Sequence, residues 1–215
     1  MRERAGRKRS RGSSRIQKRY ENRRLEILRA AGRAFRQHGL AETGMREIAK
    51  AADLSPANLY NYFQGKHELL FFCQDSALER MLKALKQVRS TEGTAAQKLA
   101  LAIQAHLRCV LDEVEGATAH LFTAAMPPHL QRKLAGKRDR YEDGVRQLIA
   151  EGVCSGEFAE CDPALAARAI LGALNWSTGW FNPDGELKSA EIAQQFAKYF
   201  TRGLAAQPWT NEKRD

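Results

Sequence analysis

From Lys18 to residue 206 the apolar residues recur every three or four positions and nowhere alternate, so the chain is restricted to helices. Tyr20, Leu25, Leu28, Ala31, Ala34 and Phe35 mark one apolar face, and Gly39 stands where a helix C-terminus favours glycine. A short helix is predicted over about 45–52, with Ile48 and Ala49 inward. Another follows Ser55-Pro56, where serine caps and proline takes the first helical position, and ends near Phe63-Gln64-Gly65. Longer helices are predicted over 66–90, 94–115, 135–153, 163–181 and 188–206, with a broken stretch over 117–134 around Met126-Pro127-Pro128. Glu92-Gly93, Gly116, Gly156, Asp162-Pro163 and Asn182-Pro183-Asp184-Gly185 separate them. The expected fold class is all-α, a small three-helix module joined through a shared helix to a larger helical one.

Charge divides the chain differently. Residues 1–24 hold eleven Lys or Arg against Glu3 and Glu21, so nine of the ten net positive charges lie there. Residues 1–17, mostly Gly, Ser and Arg with a lone Ile16, are expected to be disordered until an anion orders them. Such an arm binds polyanions by counterion release, nucleic acid being the usual partner; the alternative is a solubilising tail. It has almost no apolar residue to insert into a membrane surface. No run approaches the roughly 18 apolar residues of a membrane span, and no apolar signal region follows the arginines, so a cytoplasmic location is expected.

Cys73, Cys109, Cys154 and Cys161 form no C-x-x-C, and the five histidines offer no metal spacing. The cysteines read as reduced thiols, mostly core packing. With no Ser/His/Asp or Cys/His set and no glycine-rich phosphate loop, neither an enzyme nor a cofactor is expected.

The second and third helices, joined by Ala52-Asp53-Leu54-Ser55, form a helix-turn-helix pattern. Ala49, Ala51 and Ala52 allow a close crossing, and Phe35, Ile48, Leu54, Leu59 and Phe63 supply an apolar clamp. The other side of the third helix carries Ser55, Ala57, Asn58, Tyr60, Asn61 and Tyr62, short polar and aromatic groups suited to base edges and phosphates. The run from Thr43 to Leu70, with its Ile48-Ala49 pair, its Leu59-Tyr60-Asn61-Tyr62-Phe63 block and Lys66-His67-Glu68-Leu69-Leu70, resembles the DNA-binding domain of TetR-family transcriptional regulators. The resemblance implies a helix-turn-helix domain over 18–65, an effector-binding and dimerisation domain over 66–206, and a disordered tail over 207–215. It implies that Thr43 donates to a phosphate or acts as a plain N-cap. Arg46 would contact a guanine or remain a solvated arginine. Ser55, Ala57 and Asn58 would read bases, and Tyr60 and Tyr62 would bind phosphates, one of them being core-packed as the alternative. Lys66 would hold a phosphate at the start of the fourth helix. Asp53 departs from the glycine common in this turn, but aspartate tolerates left-handed geometry.

In the C-terminal part, Leu165, Ala169, Gly172, Trp176 and Trp180 form one apolar stripe, and Ile192, Phe196, Tyr199, Phe200 and Leu204 another. Two such helices from each of two chains would make a four-helix homodimer interface; an intramolecular core is the alternative. The segment Gly172 to Gly185, containing Asn175-Trp176, Trp180-Phe181 and Pro183-Asp184-Gly185, is similar to one in the TetR branch that responds to acyl-CoA thioesters, as is Arg138-Asp139-Arg140-Tyr141-Glu142. That similarity implies a small-molecule effector, an acyl-CoA. Phe71, Phe72, Leu99, Ile103, Leu107, Leu121, Phe122 and Met126 are candidate channel residues, with ordinary core as the alternative. Arg132, Lys133, Lys137, Arg138 and Arg140 are candidates for its phosphates, with a solvated helix face as the alternative. Arg168, on the face of Gly172 and Asn175, reads as a buried arginine that needs an anion, either the ligand or a carboxylate from a neighbouring helix. His106 is a further ligand candidate or a satisfied core histidine, and Asn175 and Trp176 are also candidates for the ligand.

The expected function is a ligand-responsive repressor whose dimer binds a palindromic operator on double-stranded DNA. The competing reading is a constitutive or architectural DNA binder, told apart by whether an effector alters operator binding.

Overall fold

The computed structural model describes residues 3–112 and 126–206. Among these no strand forms, and a single isolated antiparallel bridge joins Phe158 to Ala205. The chain divides into two compact units, Met1–Leu70 and Phe71–Asp215. The tail over 207–215 lies outside the described residues.

The first unit contains α1 (Glu3–Glu42), α2 (Met45–Ala51), α3 (Pro56–Tyr60) and the start of α4 (Lys66–Ser90). Ile27, Leu28, Ala31, Phe35, Ile48, Ala49, Leu59, Phe63 and Leu69 are buried, as the clamp requires, while Leu54 is half-buried. Full burial of Phe63 alone is worth roughly 1.5–3 kcal/mol. Each short helix has a local start signal. The Glu47 carboxylate accepts from the Gly44 N–H at 3.0 Å, and Ser55 Oγ accepts from the Asn58 N–H at 3.2 Å. Between them Asp53 takes φ +54°, so that the Leu54 N–H reaches the Ala49 carbonyl at 2.9 Å.

The basic arm departs from expectation, being helical from Glu3 onward. Its composition reads as disorder, yet it holds no proline, Ile16 is its one β-branched residue, and Arg, Lys and Ala are good helix formers. The packed half of α1 supplies the nucleus from which the helix extends. At the far end Gly39 leaves helical geometry with φ 77° and ψ 165°, as its position predicts.

The second unit contains the rest of α4, then α5 (Ala95–Leu107), α6 (Pro128–Cys154), α7 (Pro163–Trp180) and α8 (Ser189–Leu204). Two expected boundaries move. The helix predicted over 94–115 changes at Arg108 to a π-helical turn through Asp112, with no glycine or proline to announce it. The break predicted at 134/135 is absent, because Pro128 in the first turn starts one continuous α6 and Gly136 alone does not interrupt it. α5 packs on α8 and α6, and α6 packs on α7. A knot of loop contacts secures the far end. The Glu157 carboxylate accepts from the Ala95 and Ala96 N–H groups at 3.1 and 3.0 Å, capping α5. The Ala206 N–H donates to the Glu157 carbonyl at 3.0 Å and the Ala159 N–H to the Leu204 carbonyl at 2.8 Å. No helix among the described residues is long and apolar enough to cross a membrane.

Candidate functional site

In the first unit, burial of Ile48 and Ala49 on α2 and of Leu59 on α3 turns the remaining positions outward. Arg46, Ser55, Ala57, Asn58 and Tyr60 are all exposed. Tyr62 is half-buried and stacks on Tyr20, with ring centroids 5.1 Å apart. Tyr20 in turn donates its hydroxyl proton to the Asn61 carbonyl at 3.2 Å. Lys66 is half-buried, its ammonium 5.8 Å from the Phe35 ring centroid, and that burial lowers its pKa. Thr43 is different. It is fully buried, and its hydroxyl donates to the Gly39 carbonyl at 2.7 Å, so it ties the end of α1 to the start of α2 and does not offer a proton to phosphate. Nor is it the N-cap, which is Gly44.

The second unit sets a polar trio in an apolar interior. His106 on α5 is 2% exposed, with Nδ1 3.1 Å from the Tyr141 hydroxyl of α6 and Nε2 3.1 Å from Asn175 Oδ1 of α7. Asn175 Oδ1 accepts, which places a proton on Nε2. Burial pushes the Tyr141 phenol well above its usual range, so it stays protonated. Ile103 and Leu107 are buried on the same helix as His106, Met126 is buried, and Phe72 is half-buried. Phe122 and Leu121 lie outside the described residues. Arg138 is half-buried and donates to Oε1 of the buried Gln74 at 2.6 Å, and burial lowers its pKa.

Of the cations proposed for phosphates, Lys137 is already engaged by Asp75 at 2.5 Å and Glu79 at 2.6 Å. Burial alone would lower its pKa, but these two carboxylates raise it on balance. A groove of about 600 Å³ is lined instead by Glu79, Arg80, Leu82, Lys83, Lys86 and Arg140. Lys83, Lys86 and Arg140 have no carboxylate partner among the described residues.

Residues 27–71 match the model for bacterial regulatory proteins of the tetR family, and residues 92–204 match that for the tetracyclin repressor-like C-terminal domain. The chain belongs to the TetR family. It is therefore a DNA-binding transcriptional regulator, and its relatives are regulators rather than enzymes. It is similar to the TetR-family transcriptional regulator PfmR from Thermus thermophilus, at 32% identity and a TM-score of 0.76, over 83% of this chain and 98% of that one. The HTH-type transcriptional repressor KstR2 of Mycolicibacterium smegmatis is 24% identical over 192 residues, 85% of this chain and 91% of its own. AibR, in complex with isovaleryl coenzyme A and operator DNA, has the same fold at 24% identity and a TM-score of 0.73, over 86% of this chain and 98% of that one.

Within this TetR fold two expected ligand residues face elsewhere. Arg168 is not buried: its side chain is 69% exposed and its Nε donates to Glu142 at 2.9 Å, so the neighbouring-helix carboxylate is its anion. Trp176 is 74% exposed and lines no interior. It belongs to a stripe on α7 in which Leu165, Ala169, Gly172 and Trp180 are also exposed. The stripe on α8 is mixed. Tyr199 is 63% exposed, Phe196, Phe200 and Leu204 are half-buried, and Ile192 belongs to the core.

Sequence reasoning missed Tyr141, Tyr20 and Arg24 as site-building residues. The Arg24 guanidinium lies 4.5 Å from the Phe63 ring centroid and bonds Glu68 at 3.3 Å, while the Glu68 carboxylate also accepts from the Gln64 N–H at 2.7 Å. An arginine four residues after a tyrosine on the core side of a basic helix was the available signal. The cysteines are split: Cys73 and Cys109 are buried, whereas Cys154 is exposed and Cys161 half-exposed.

Proposed function

We propose that this TetR-family chain is a repressor whose homodimer binds a palindromic operator and is released by an acyl-CoA. Arg46, Ser55, Ala57, Asn58 and Tyr60 read base edges and phosphates, with Tyr62 and Lys66 at the phosphate margin. The exposed α7 stripe, with Tyr199, packs against its copy by isologous contact and sets the spacing of two recognition helices.

The observation that carries the effector class is the groove in which Lys83, Lys86 and Arg140 gather without carboxylate partners among the described residues. Lys83 and Lys86 stand three apart on one helix, where like charges repel. A phosphate-bearing ligand relieves that repulsion. Ile103, Leu107 and Met126 supply apolar surface for an acyl chain, and the His106–Tyr141–Asn175 trio supplies polar atoms for its thioester carbonyl. AibR, a protein of the same fold, binds isovaleryl coenzyme A, which supports the same ligand class here.

The test is a thermal-shift series of the full chain against CoA, short, medium and long acyl-CoAs, and the matching free acids. A ligand at 100 times its Kd adds about 2.7 kcal/mol, a shift of roughly 5–10 °C for a chain of this size. A shift from one acyl-CoA class, absent with CoA and free acid alone, is the expected result. No shift with any thioester overturns the effector class and leaves the DNA-binding assignment intact. Because coupling is reciprocal, saturating operator must weaken acyl-CoA binding by the factor by which acyl-CoA weakens operator binding. Operator affinity that ignores every ligand tested would favour the constitutive binder.

A further inference from the structure

The basic N-terminal segment is helical from Glu3, and this gives its cations a phase that a disordered arm would lack. At 100° per residue, Arg4, Arg7, Lys8, Arg11, Arg15, Lys18 and Arg19 fall within an arc of roughly 120°, Arg9 alone lying outside it. Arg4, Lys8, Arg11, Arg15 and Lys18 follow one another at alternating spacings of four and three, and run along about 21 Å of helix. The opposite arc holds Gly6, Ser10, Ser13, Gln17 and Tyr20, with no cation. That arc continues the line on which Ala31 and Phe35 are buried further along α1. Where side chains are described, Arg15, Lys18 and Arg19 are exposed and make no ion pair among the described residues. Glu21 accepts from Gln17 at 3.0 Å, and Glu26 is bonded to Arg23 at 2.6 Å, so the nearby acids do not neutralise the stripe.

We infer that this N-terminal extension of α1 is a second DNA-binding element, a rigid basic helix that lies along the phosphates flanking the half-site. It rests on the DNA-binding assignment and adds to it. Tyr20 makes the extension rigid with respect to the reader, because it stacks on Tyr62 and bonds Asn61 just beyond α3. Once α3 is seated, the course of the extension along the duplex is set. The like charges at i, i+3 and i, i+4 oppose one another in the free helix, and phosphates remove that opposition, so helix and duplex reinforce each other.

The experiment uses the full chain, two variants, and the duplex that the wild-type chain selects from a random-sequence pool. In one variant Arg4, Lys8, Arg11, Arg15 and Lys18 are all replaced by glutamine. In the other, Ser13→Pro keeps every charge and interrupts the helix. The expected result for the glutamine variant, which removes five cations from each chain of the dimer, is a fall of about 9 in the slope of log K against log salt. Ser13→Pro is expected to bind at least tenfold more weakly at physiological salt and to lose hydroxyl-radical protection in the flank. Both should keep the wild-type Tm, since the stripe and Ser13 precede Ile27, the first buried core position described on α1. A Ser13→Pro protein with wild-type slope and footprint overturns the helical element in favour of a charged, shapeless arm. An unchanged slope in the glutamine variant removes the segment from the DNA altogether. A wild-type chain that selects no duplex overturns the DNA-binding assignment itself, and the proposal with it.

Discussion

Asp53 holds φ at +54° with an ordinary side chain, a conformation that costs an L-residue roughly 1 kcal/mol or more and glycine almost nothing. Replacing it with glycine should raise stability by about 0.5–1 kcal/mol, and Asp53→Val should lower it by more than that, both measured by urea denaturation. Thr43 poses a sharper question, because its sequence position suggests a phosphate contact and its burial does not. Its hydroxyl is bonded to the Gly39 carbonyl, so Thr43→Val should cost about 1–3 kcal/mol of stability. Operator affinity at fixed salt should stay at its wild-type value. A loss of operator affinity at fixed salt without loss of stability would restore the phosphate role.

Among the helices, α6 carries its own internal control. A Cβ added at Gly136 meets nothing within 4 Å, whereas one at Gly152 runs into the ring of Phe158. Gly136→Ala should therefore stabilise by up to about 1 kcal/mol, and Gly152→Ala should destabilise by about 1–3 kcal/mol despite the same gain in helix propensity. Paired thermal melts of the two variants decide it. The cap on α5 gives a pH signature. Backbone N–H bonds from Ala96 first, then Ala95, hold the Glu157 carboxyl below its ordinary pKa. A depressed carboxyl stabilises the fold above its unfolded pKa, about 4.3, and the contribution is lost as pH falls through the folded value. The Tm gap between wild type and Glu157→Gln should be present at pH 7 and close below about pH 4. A gap that is constant with pH would assign it to packing rather than charge.

At the scale of the molecule, the unburied apolar stripe on α7 is the feature that a single chain leaves incomplete. Trp176 at 74% and Leu165 at 67% exposed are large side chains for which solvent is a poor environment. Trp176→Glu should shift the sedimentation equilibrium from dimer toward monomer, with the Tm becoming less dependent on protein concentration. Operator affinity should fall with it, because two half-sites are then bound independently. A variant that remains dimeric would place the interface elsewhere.

Much of this is legible in the sequence itself. The helical period, the glycine at the end of α1, the Ser55-Pro56 start and the tight turn at Asp53 all depend on neighbours within four residues, which a sequence displays directly. So did the α7 stripe, whose members share a face by spacing alone. Periodicity does not say what a face meets. Arg168 sits between apolar neighbours in the sequence, and only the approach of α6 gave it Glu142 in place of the interior. Trp176 reads equally as core or surface until α7 is laid on α6 and its inner side is taken by Ala167, Ile170 and Leu174. The same holds for His106, whose partners are 35 and 69 residues away. The N-terminal extension failed for a different reason. Its low hydrophobicity suggested disorder, but helix propagation from a packed segment depends on the residues it continues from. Local hydrogen bonding and side-chain period are thus settled along the chain, whereas burial and partnership are settled by which helices meet.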